Sequence, residues 1–148
     1  MSGSTVIPKR PVLVNCPFCS TINRVDFARL NDRPKCARCK KPLTLDRPQK
    51  VGEGDFQRII GGASVPVVVD FYADWCGPCH AMAPILDDFA LARKGEVLVL
   101  KLDTDASPGI ARQFGIRGIP TLIAFRDGKE TRRHTGVGDR KALDTLVT

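Results

Sequence analysis

The sequence predicts an α/β sandwich preceded by a small cysteine-rich module. Over the last two thirds of the chain, apolar strand-like runs alternate with helix-like stretches. The first fifty residues instead hold two Cys-x-x-Cys pairs, in a segment too short to bury a core of its own. A length of 148 residues therefore suits one domain of ordinary size and one small module.

The N-terminal module is defined by two cysteine pairs, Cys16/Cys19 and Cys36/Cys39. The sixteen residues between the pairs fit two knuckles that clasp one ion between hairpin-like arms. Four thiolates suit Zn²⁺, and neither histidine of the chain lies in this module. The sequence therefore predicts a four-cysteine zinc ribbon with one structural Zn²⁺. Labile disulfides or free thiols that act as a redox switch are the alternative.

A proline-bounded linker follows the second knuckle. Residues 42–48 carry a proline at each end, and Pro48 argues against one continuous element across the segment. We place the boundary near residue 47. Residues 1–47 are then the zinc-ribbon module with its linker, and residues 48–148 are the second domain.

The second domain has nine predicted elements in the order βαβαβαββα. Alternating and continuous apolar runs predict the strands, and longer periodic stretches predict the helices. In chain order they are a strand near Val51, helix 55–60, strand 67–72, helix 82–91, strand 97–102, helix 108–114, strands 121–125 and 130–135, and helix 140–147. Asp127-Gly128 predicts a hairpin turn between the last two strands.

A third Cys-x-x-Cys pair, Cys76/Cys79, lies between the strand at 67–72 and the helix that follows. A dithiol at such a junction is typical of redox sites, because a helix N-terminus favours a thiolate on the first cysteine. Cys76 is the predicted reactive sulfur. Cys79, one turn into the helix and less exposed, is the predicted resolving sulfur. A metal knuckle or a static disulfide is the alternative.

Asp70 interrupts the apolar strand at 67–72, where a carboxylate loses its hydration. Such burial raises a carboxyl pKa towards the working pH. Asp70 is therefore a candidate proton acceptor for Cys79, directly or through one water. An edge residue turned towards solvent is the alternative.

Three segments in order carry a family resemblance. They are residues 69–79, Ala83-Pro84, and residues 114–121, which end in Gly118-Ile119-Pro120-Thr121. They resemble thioredoxin, over roughly residues 51–148, and the whole chain looks most like the zinc-containing thioredoxins of the thioredoxin 2 type. The resemblance implies the thioredoxin fold, a central mixed sheet flanked by helices.

The resemblance also implies roles for individual residues. It assigns Asp70 to proton transfer, places Lys101 near that carboxylate, and implies a cis bond before Pro120, packed against the cysteine pair. A solvated strand end is the alternative for Lys101. The implied groove for a polypeptide substrate is formed by Trp75, Gly77, Pro78, Gly118, Ile119 and Gly136. Tyr72, Asp74 and His80 depart from the commonest family pattern, which leaves the redox potential open.

Charge is divided unevenly between the two parts. Residues 1–50 hold eleven Lys/Arg against three Asp, whereas the rest of the chain is close to neutral. The formal net charge of +7 therefore comes from the ribbon. A solvated basic face is the simpler interpretation, and a surface for acidic proteins or nucleic acid is the other.

The predicted function is protein-disulfide reduction by thiol-disulfide exchange through Cys76 and Cys79. The redox step needs no cofactor in this chain, and the resemblance implies disulfide-containing protein substrates and an NADPH-dependent flavoprotein reductase.

The start of the chain lacks the apolar core of a secretory signal, and no run reaches the ~18 apolar residues of a membrane span. We expect a cytoplasmic monomer that binds neither membranes nor nucleic acid. An oxidase or isomerase with the opposite redox poise, or a binding module, is the alternative.

Overall fold

The computed structural model describes residues 8–148; residues 1–7 of the predicted ribbon module lie outside them. The ribbon contains an antiparallel hairpin of β1 (Pro11–Asn15) and β2 (Ile22–Asp26). A short 3₁₀ segment, Phe27–Asp32, follows the hairpin. None of the helices in the described part of the chain has the length and hydropathy that a bilayer span needs.

The rest of the chain forms a five-stranded sheet flanked by helices. Its strands are β3 (Gln49–Lys50), β4 (Val67–Tyr72), β5 (Leu98–Asp103), β6 (Thr121–Arg126) and β7 (Lys129–Thr135). The helices are α1 (Phe56–Gly61), α2 (Gly77–Ala92), α3 (Pro108–Gln113) and α4 (Arg140–Leu146). The strand order is β3-β5-β4-β6-β7, and β4 runs parallel to β5 and antiparallel to β6. The predicted mixed sheet is confirmed.

Apart from shifts of one residue, the predicted boundaries differ from the structure in two places. Strand β3 has only two residues and ends just before Val51, whose N–H donates to the Lys101 carbonyl. Helix α2 begins at Gly77, well before residue 82, because the Cys76 side chain caps it and Pro78 occupies its first turn. The helix therefore starts inside the Cys-x-x-Cys motif, which apolar periodicity does not detect.

The hairpin turn between β6 and β7 is as predicted. Asp127 and Gly128 both have positive φ, at 53° and 76°. These are the signs that a two-residue type I′ turn requires, and Gly adopts them without steric cost.

The sheet separates two apolar clusters. On one face, Val68 of β4 packs with side chains of α2 and α4, including Leu86 and Leu143. On the other face, an aromatic group of Phe56, Phe71, Phe114 and Phe125 has ring centroids 5.4 to 6.2 Å apart. Strand β4 is thus buried from both sides, which fixes the position of its ends.

The ribbon packs onto the aromatic side of the sheet. Val12, Val14 and Phe27 belong to the same buried cluster as Phe56 and Phe71. Leu43 and Leu45, within the predicted linker, are buried in it too, so this part of the linker is packed. The cluster continues across residue 47, and the domain boundary there stays a prediction.

Polar contacts fix the orientation of the ribbon. The Ser64 N–H donates to the Pro11 carbonyl at 2.9 Å, and the Asn15 amide donates to the Asp55 carboxylate at 2.8 Å. Gly95 has φ of 81°, and a Cβ there would lie 2.9 Å from the Phe27 carbonyl oxygen. Only glycine allows this close approach of the two backbones.

We expect Val12→Ala to lower the free energy of unfolding by about 2 kcal/mol, because it opens a void in a cluster that both parts of the chain share. Urea unfolding followed by the fluorescence of Trp75, the single tryptophan, reports on the C-terminal part. Arg24→Ala, at an exposed position of the same hairpin, is the control and should change stability by less than about 0.5 kcal/mol. An unchanged Trp75 transition in Val12→Ala would contradict the shared core.

Candidate active site and candidate metal centre

The cysteine pair Cys76/Cys79 lies where β4 leads into α2. Cys76 is the N-cap of α2 in an extended conformation, and the two sulfurs form a disulfide. The Cys79 N–H donates to Cys76 Sγ at 3.2 Å. A sulfur at this position also receives the partial positive charge of the helix N-terminus, which favours a thiolate.

Exposure does not separate the two cysteines. Cys76 is 3% exposed and Cys79 is 5% exposed, so the expectation that Cys79 is the more shielded residue is wrong for this disulfide form. Their backbone environments do differ, because only Cys76 Sγ accepts an N–H from the first helical turn. This asymmetry favours Cys76 as the sulfur that holds negative charge.

The loop before β6 closes over the cysteine pair. The Ile119–Pro120 bond is cis, as the family resemblance implies, and the Ile119 carbonyl oxygen lies 3.7 Å from Cys76 Sγ. The Gly136 N–H donates to the Pro120 carbonyl at 2.8 Å. Gly136 has φ of 93°, a conformation that favours glycine. Ile119, Pro120 and Gly136 are therefore brought together beside Cys76, and Gly118 directly precedes them.

Trp75 stands at the rim of the site with 72% of its surface exposed. Its indole N–H donates to the Asp105 carboxylate at 2.8 Å. Asp105 was not a predicted site residue, since it lies in a polar loop after β5 with no motif to mark it. Gly77 and Pro78 follow Trp75 and Cys76 as the first residues of α2. Trp75, Gly77 and Pro78 are thus neighbours of Cys76 in the chain, and Ile119 is its neighbour in space.

His80 is held close to the active-site loop. Its ring Nε2 lies 2.6 Å from the Asp74 carbonyl oxygen, so this nitrogen carries the proton and donates it. The contact joins the first turn of α2 to the loop that carries Trp75.

Asp70 is buried, with 1% exposure, which confirms the predicted burial. Among residues 8–148, neither of its carboxylate oxygens has a hydrogen-bond partner. Burial raises the pKa of Asp70 to about 6, although the positive charge of Lys101 opposes the rise. Side chains alternate along a strand, so Asp70 shares the face of Val68, the face that α2 covers. Asp70 therefore lies on the α2 side of the sheet.

Lys101 is placed opposite Asp70 in the parallel pair of β4 and β5. Its ammonium nitrogen lies 4.6 Å from the centroid of the Tyr72 ring, a cation–π contact. Tyr72 thus helps to hold the positive charge near Asp70. This contact could not be predicted from the sequence, because it depends on the register of two neighbouring strands.

The four remaining cysteines form a second cluster. The sulfurs of Cys16, Cys19, Cys36 and Cys39 all lie within 4.8 Å of one another. The knuckles are alike: Ser20 N–H donates to the Cys16 carbonyl, and Lys40 N–H donates to the Cys36 carbonyl. Both donors have positive φ, at 63° and 66°. The turns therefore direct both cysteine pairs towards one point.

Asn23 joins the two knuckles. Its side chain accepts the Ala37 N–H at 2.9 Å and donates to the Thr21 carbonyl at 3.1 Å. Hydrogen bonding, first of all from the Cys39 backbone, lowers the pKa of Cys36 to about 6. Four converging sulfurs, two with a lowered pKa and one, that of Cys39, with a raised pKa, fit the donor set of a structural Zn²⁺ site by their arrangement. Asn23 was not predicted, since its partners lie in separate turns.

Two family models match the chain. The model described as Thioredoxin matches residues 47–148, and the model described as Thioredoxin 2, N-terminal matches residues 15–41. The second match coincides with the four-cysteine cluster.

Relatives and a solved structure agree with the first family model. The chain is 51% identical over 86 residues to the thioredoxin of Chlamydia muridarum, covering 58% of this chain and 83% of that protein. It is 38% identical over 109 residues to the chloroplastic thioredoxin M-type of Spinacia oleracea, covering 74% of this chain but only 60% of that protein. A mutant thioredoxin from Halobacterium salinarum NRC-1 superposes with a TM-score of 0.59 at 32% identity, covering 71% of this chain and 91% of that one.

We expect Asp70→Asn to stabilise the oxidised protein at pH 8 but not at pH 3. A pKa raised from its ordinary 3.8 to about 6 means that ionising Asp70 costs the folded state about 3 kcal/mol. The protonated Asp70 contributes its full share to the stability of the folded protein below pH 3.8, and this share is lost as the pH rises through about 6. Urea unfolding of both proteins at the two pH values measures this change.

The change with pH in the difference between the two proteins isolates this carboxylate, because all other titrating groups are common to both. A stability difference that is the same at pH 3 and pH 8 would mean that Asp70 ionises without cost. The pKa would then not be raised.

Proposed function

The chain belongs to the thioredoxin family and is of its zinc-containing thioredoxin 2 type; from that premise we propose how individual residues share the work of protein-disulfide reduction. The chain is a protein-disulfide reductase that acts by thiol-disulfide exchange through Cys76 and Cys79. The hydrogen bond from the Cys79 N–H to Cys76 Sγ, at the N-terminus of α2, carries the assignment of roles. It supports a stabilised thiolate on Cys76 and none on Cys79.

In the first step, the Cys76 thiolate attacks one sulfur of a substrate disulfide. A bond forms between Cys76 and that sulfur, the substrate S–S bond breaks, and the other substrate sulfur leaves as a thiolate that takes a proton from water. The Cys79 N–H and the partial positive charge of the α2 N-terminus stabilise the charge on Cys76 before the attack. The product is a mixed disulfide.

In the second step, the Cys79 thiol loses its proton and attacks Cys76 Sγ. The Cys76–Cys79 bond forms, the mixed disulfide breaks, and the substrate sulfur leaves as a thiolate. We assign the proton acceptor to Asp70, directly or through one water. Its pKa of about 6, raised by burial, supports this role, since it can accept and release a proton near neutral pH. Lys101 acts through Asp70, by limiting how far that pKa rises.

The substrate segment lies across the exposed side of the cysteine pair. Trp75, Gly77 and Pro78 form one wall of the proposed groove, and Gly118, Ile119, Pro120 and Gly136 form the other. The backbone of Ile119, close to Cys76, is available to pair with an extended peptide. This pairing would hold the substrate disulfide close to Cys76.

Reduction of a substrate leaves Cys76 and Cys79 joined as a disulfide. The chain therefore requires an electron donor to return to the dithiol. The family acts on disulfide-containing proteins and is returned to the dithiol by a reductase. We propose that this donor is an NADPH-dependent flavoprotein reductase, and that no cofactor is needed for exchange within the chain.

We place the protein in the cytoplasm as a monomer. The four unpaired ribbon cysteines support that compartment, because oxidising compartments favour disulfides.

The ribbon cysteines Cys16, Cys19, Cys36 and Cys39 would hold one Zn²⁺. Zinc would supply a structural cross-link there, since four thiolates leave no coordination position for a substrate. The cluster's residues lie outside the exchange steps. Their proposed task is to keep both knuckles, and hence the hairpin of β1 and β2, in one conformation.

Cys76→Ser should abolish disulfide reduction, whereas Cys79→Ser should accumulate mixed disulfides with a protein substrate, because it keeps the attacking sulfur and loses the resolving one. Mass spectrometry of the trapped adducts, with an insulin-type reduction assay, distinguishes the two variants. Equal trapping by both variants would refute the roles given to the two sulfurs.

Protein purified under reducing conditions should contain one Zn²⁺ per chain, and Cys36→Ser should lose most of it, because a buried ligand is removed. Cys76→Ser is the matched control and should keep the metal, since Cys76 lies outside the cluster. Elemental analysis and thiol counting measure both. A metal content near zero in the parent protein would refute the zinc site.

A further inference from the structure

A basic surface lies on the turns of the two knuckles. It consists of Lys35, Arg38, Lys40, Lys41 and the aromatic ring of Phe18, and we call it the knuckle patch. All five residues are exposed, and Phe18 has 60% of its surface accessible. Lys41 lies over the Phe18 ring at 4.5 Å, which joins the first knuckle to the second.

The knuckle patch has no acidic side chain to neutralise it. Residues 8–25 and 33–45 contain no Asp or Glu. None of its four cations forms an ion pair with a carboxylate of the described chain, whereas Arg29 and Arg47 elsewhere in the ribbon do. Zn²⁺ with four thiolates would add two net negative charges, which the four cations outnumber. The patch is thus a positive surface without an acidic partner among residues 8–148.

Strand β1 directs the knuckles towards the redox end of the sheet. Its first residue contacts Ser64, before the start of β4, and its last residue contacts Asp55, before the start of α1. Strands β3 and β4 both run parallel to β5, and β3 ends at Lys50, so the loop that carries Asp55 to α1 lies at the end of the sheet where β4 ends. Strand β1 therefore runs from the start of β4 towards its end.

Cys76 follows the end of β4, so the knuckles and the redox site share one edge of the sheet. The ribbon contacts β3 and α1, and only β5 separates β3 from β4. The distance from β3 to β4 across the sheet is therefore two strand spacings, or about 10 Å. A folded protein substrate bound at Cys76 is wide enough to reach across this edge.

We propose that the knuckle patch is a second contact surface for acidic protein substrates of the reductase. Glutamates and aspartates near a substrate disulfide would pair with Arg38, Lys40 and Lys41, while an apolar side chain packs on Phe18. The inference rests on the proposed function and names its substrate class. The patch raises the rate of productive encounter with acidic substrates, because opposite charges attract over roughly 10 Å.

The occupant is a protein and not a nucleic acid, for two reasons. Phe18 is the single exposed aromatic residue in the described part of the ribbon, and one ring does not form the row of stacking surfaces that single strands need. Strand β1, which leads into the first knuckle, also ends at the same end of the sheet as β4, which leads into the disulfide-exchange site, whose substrates are proteins.

The test uses the zinc-loaded full chain and two synthetic disulfide peptides, each long enough to reach from Cys76 to the knuckle patch, one flanked by glutamates and one by serines. The variant Arg38→Gln, Lys40→Gln, Lys41→Gln should lower kcat/KM for the glutamate peptide about fivefold in low salt, the result of losing three exposed charge pairs. The same variant should change kcat/KM for the serine peptide less than about twofold. In about 0.5 M NaCl, where charges are screened within about 4 Å, the difference between parent and variant should vanish.

The matched control removes three exposed cations from the opposite part of the molecule: Lys129→Gln, Arg132→Gln, Lys141→Gln. It should leave the preference for the glutamate peptide intact. Equal losses in both variants would show an effect of net charge alone and overturn the proposal, as would no loss in the patch variant. Tight binding of a fluorescent oligonucleotide, lost only in the patch variant with unchanged peptide kinetics, would assign the patch to nucleic acid instead. Inactivity of the parent on the serine peptide would instead refute the proposed function.

Discussion

Strand β4, Val67–Tyr72, is buried on both faces, and the geometry of the redox site depends on that burial. Two apolar clusters hold the strand, so the loop that follows it starts from a fixed point. Cys76 can then cap α2 and accept an N–H from its first turn. The same burial deprives Asp70 of water and raises its pKa. One strand therefore sets both the position of the sulfurs and the protonation of the nearby carboxyl.

The same Cys-x-x-Cys spacing serves two chemistries because the backbone differs. At Cys76 and Cys79 the motif enters a helix, which brings two sulfurs together and lets the Cys79 N–H donate to Cys76 Sγ. In the knuckles the chain turns back through a residue with positive φ, such as Ser20 or Lys40, before it can form a helix. The sulfurs of two separate turns then converge on one point, a geometry that suits a metal ion.

The ribbon is part of the fold and not an appendage, since its apolar side chains complete a cluster on one face of the sheet. The contacts of Asn15 with Asp55 and of Pro11 with Ser64 then fix the direction of β1. As a result, β1, which leads into the first knuckle, and β4, which leads to Cys76, end at the same end of the sheet. A basic module held rigidly beside a redox site can influence which substrates approach it, because electrostatic attraction acts before contact.

Local pattern and spacing were enough to predict the elements, the two cysteine sites and the buried Asp70, and the family resemblance implied the cis bond before Pro120. Apolar periodicity did not predict the early start of α2, because it carries no signal for capping by Cys76. Partners that come from distant segments emerged only from the folded chain. Asn23 between the knuckles, Asp105 beside Trp75, and the packing of the ribbon on the sheet are such cases. Each requires residues far apart in the chain to meet, and a single sequence does not encode their register or distance in any local signal.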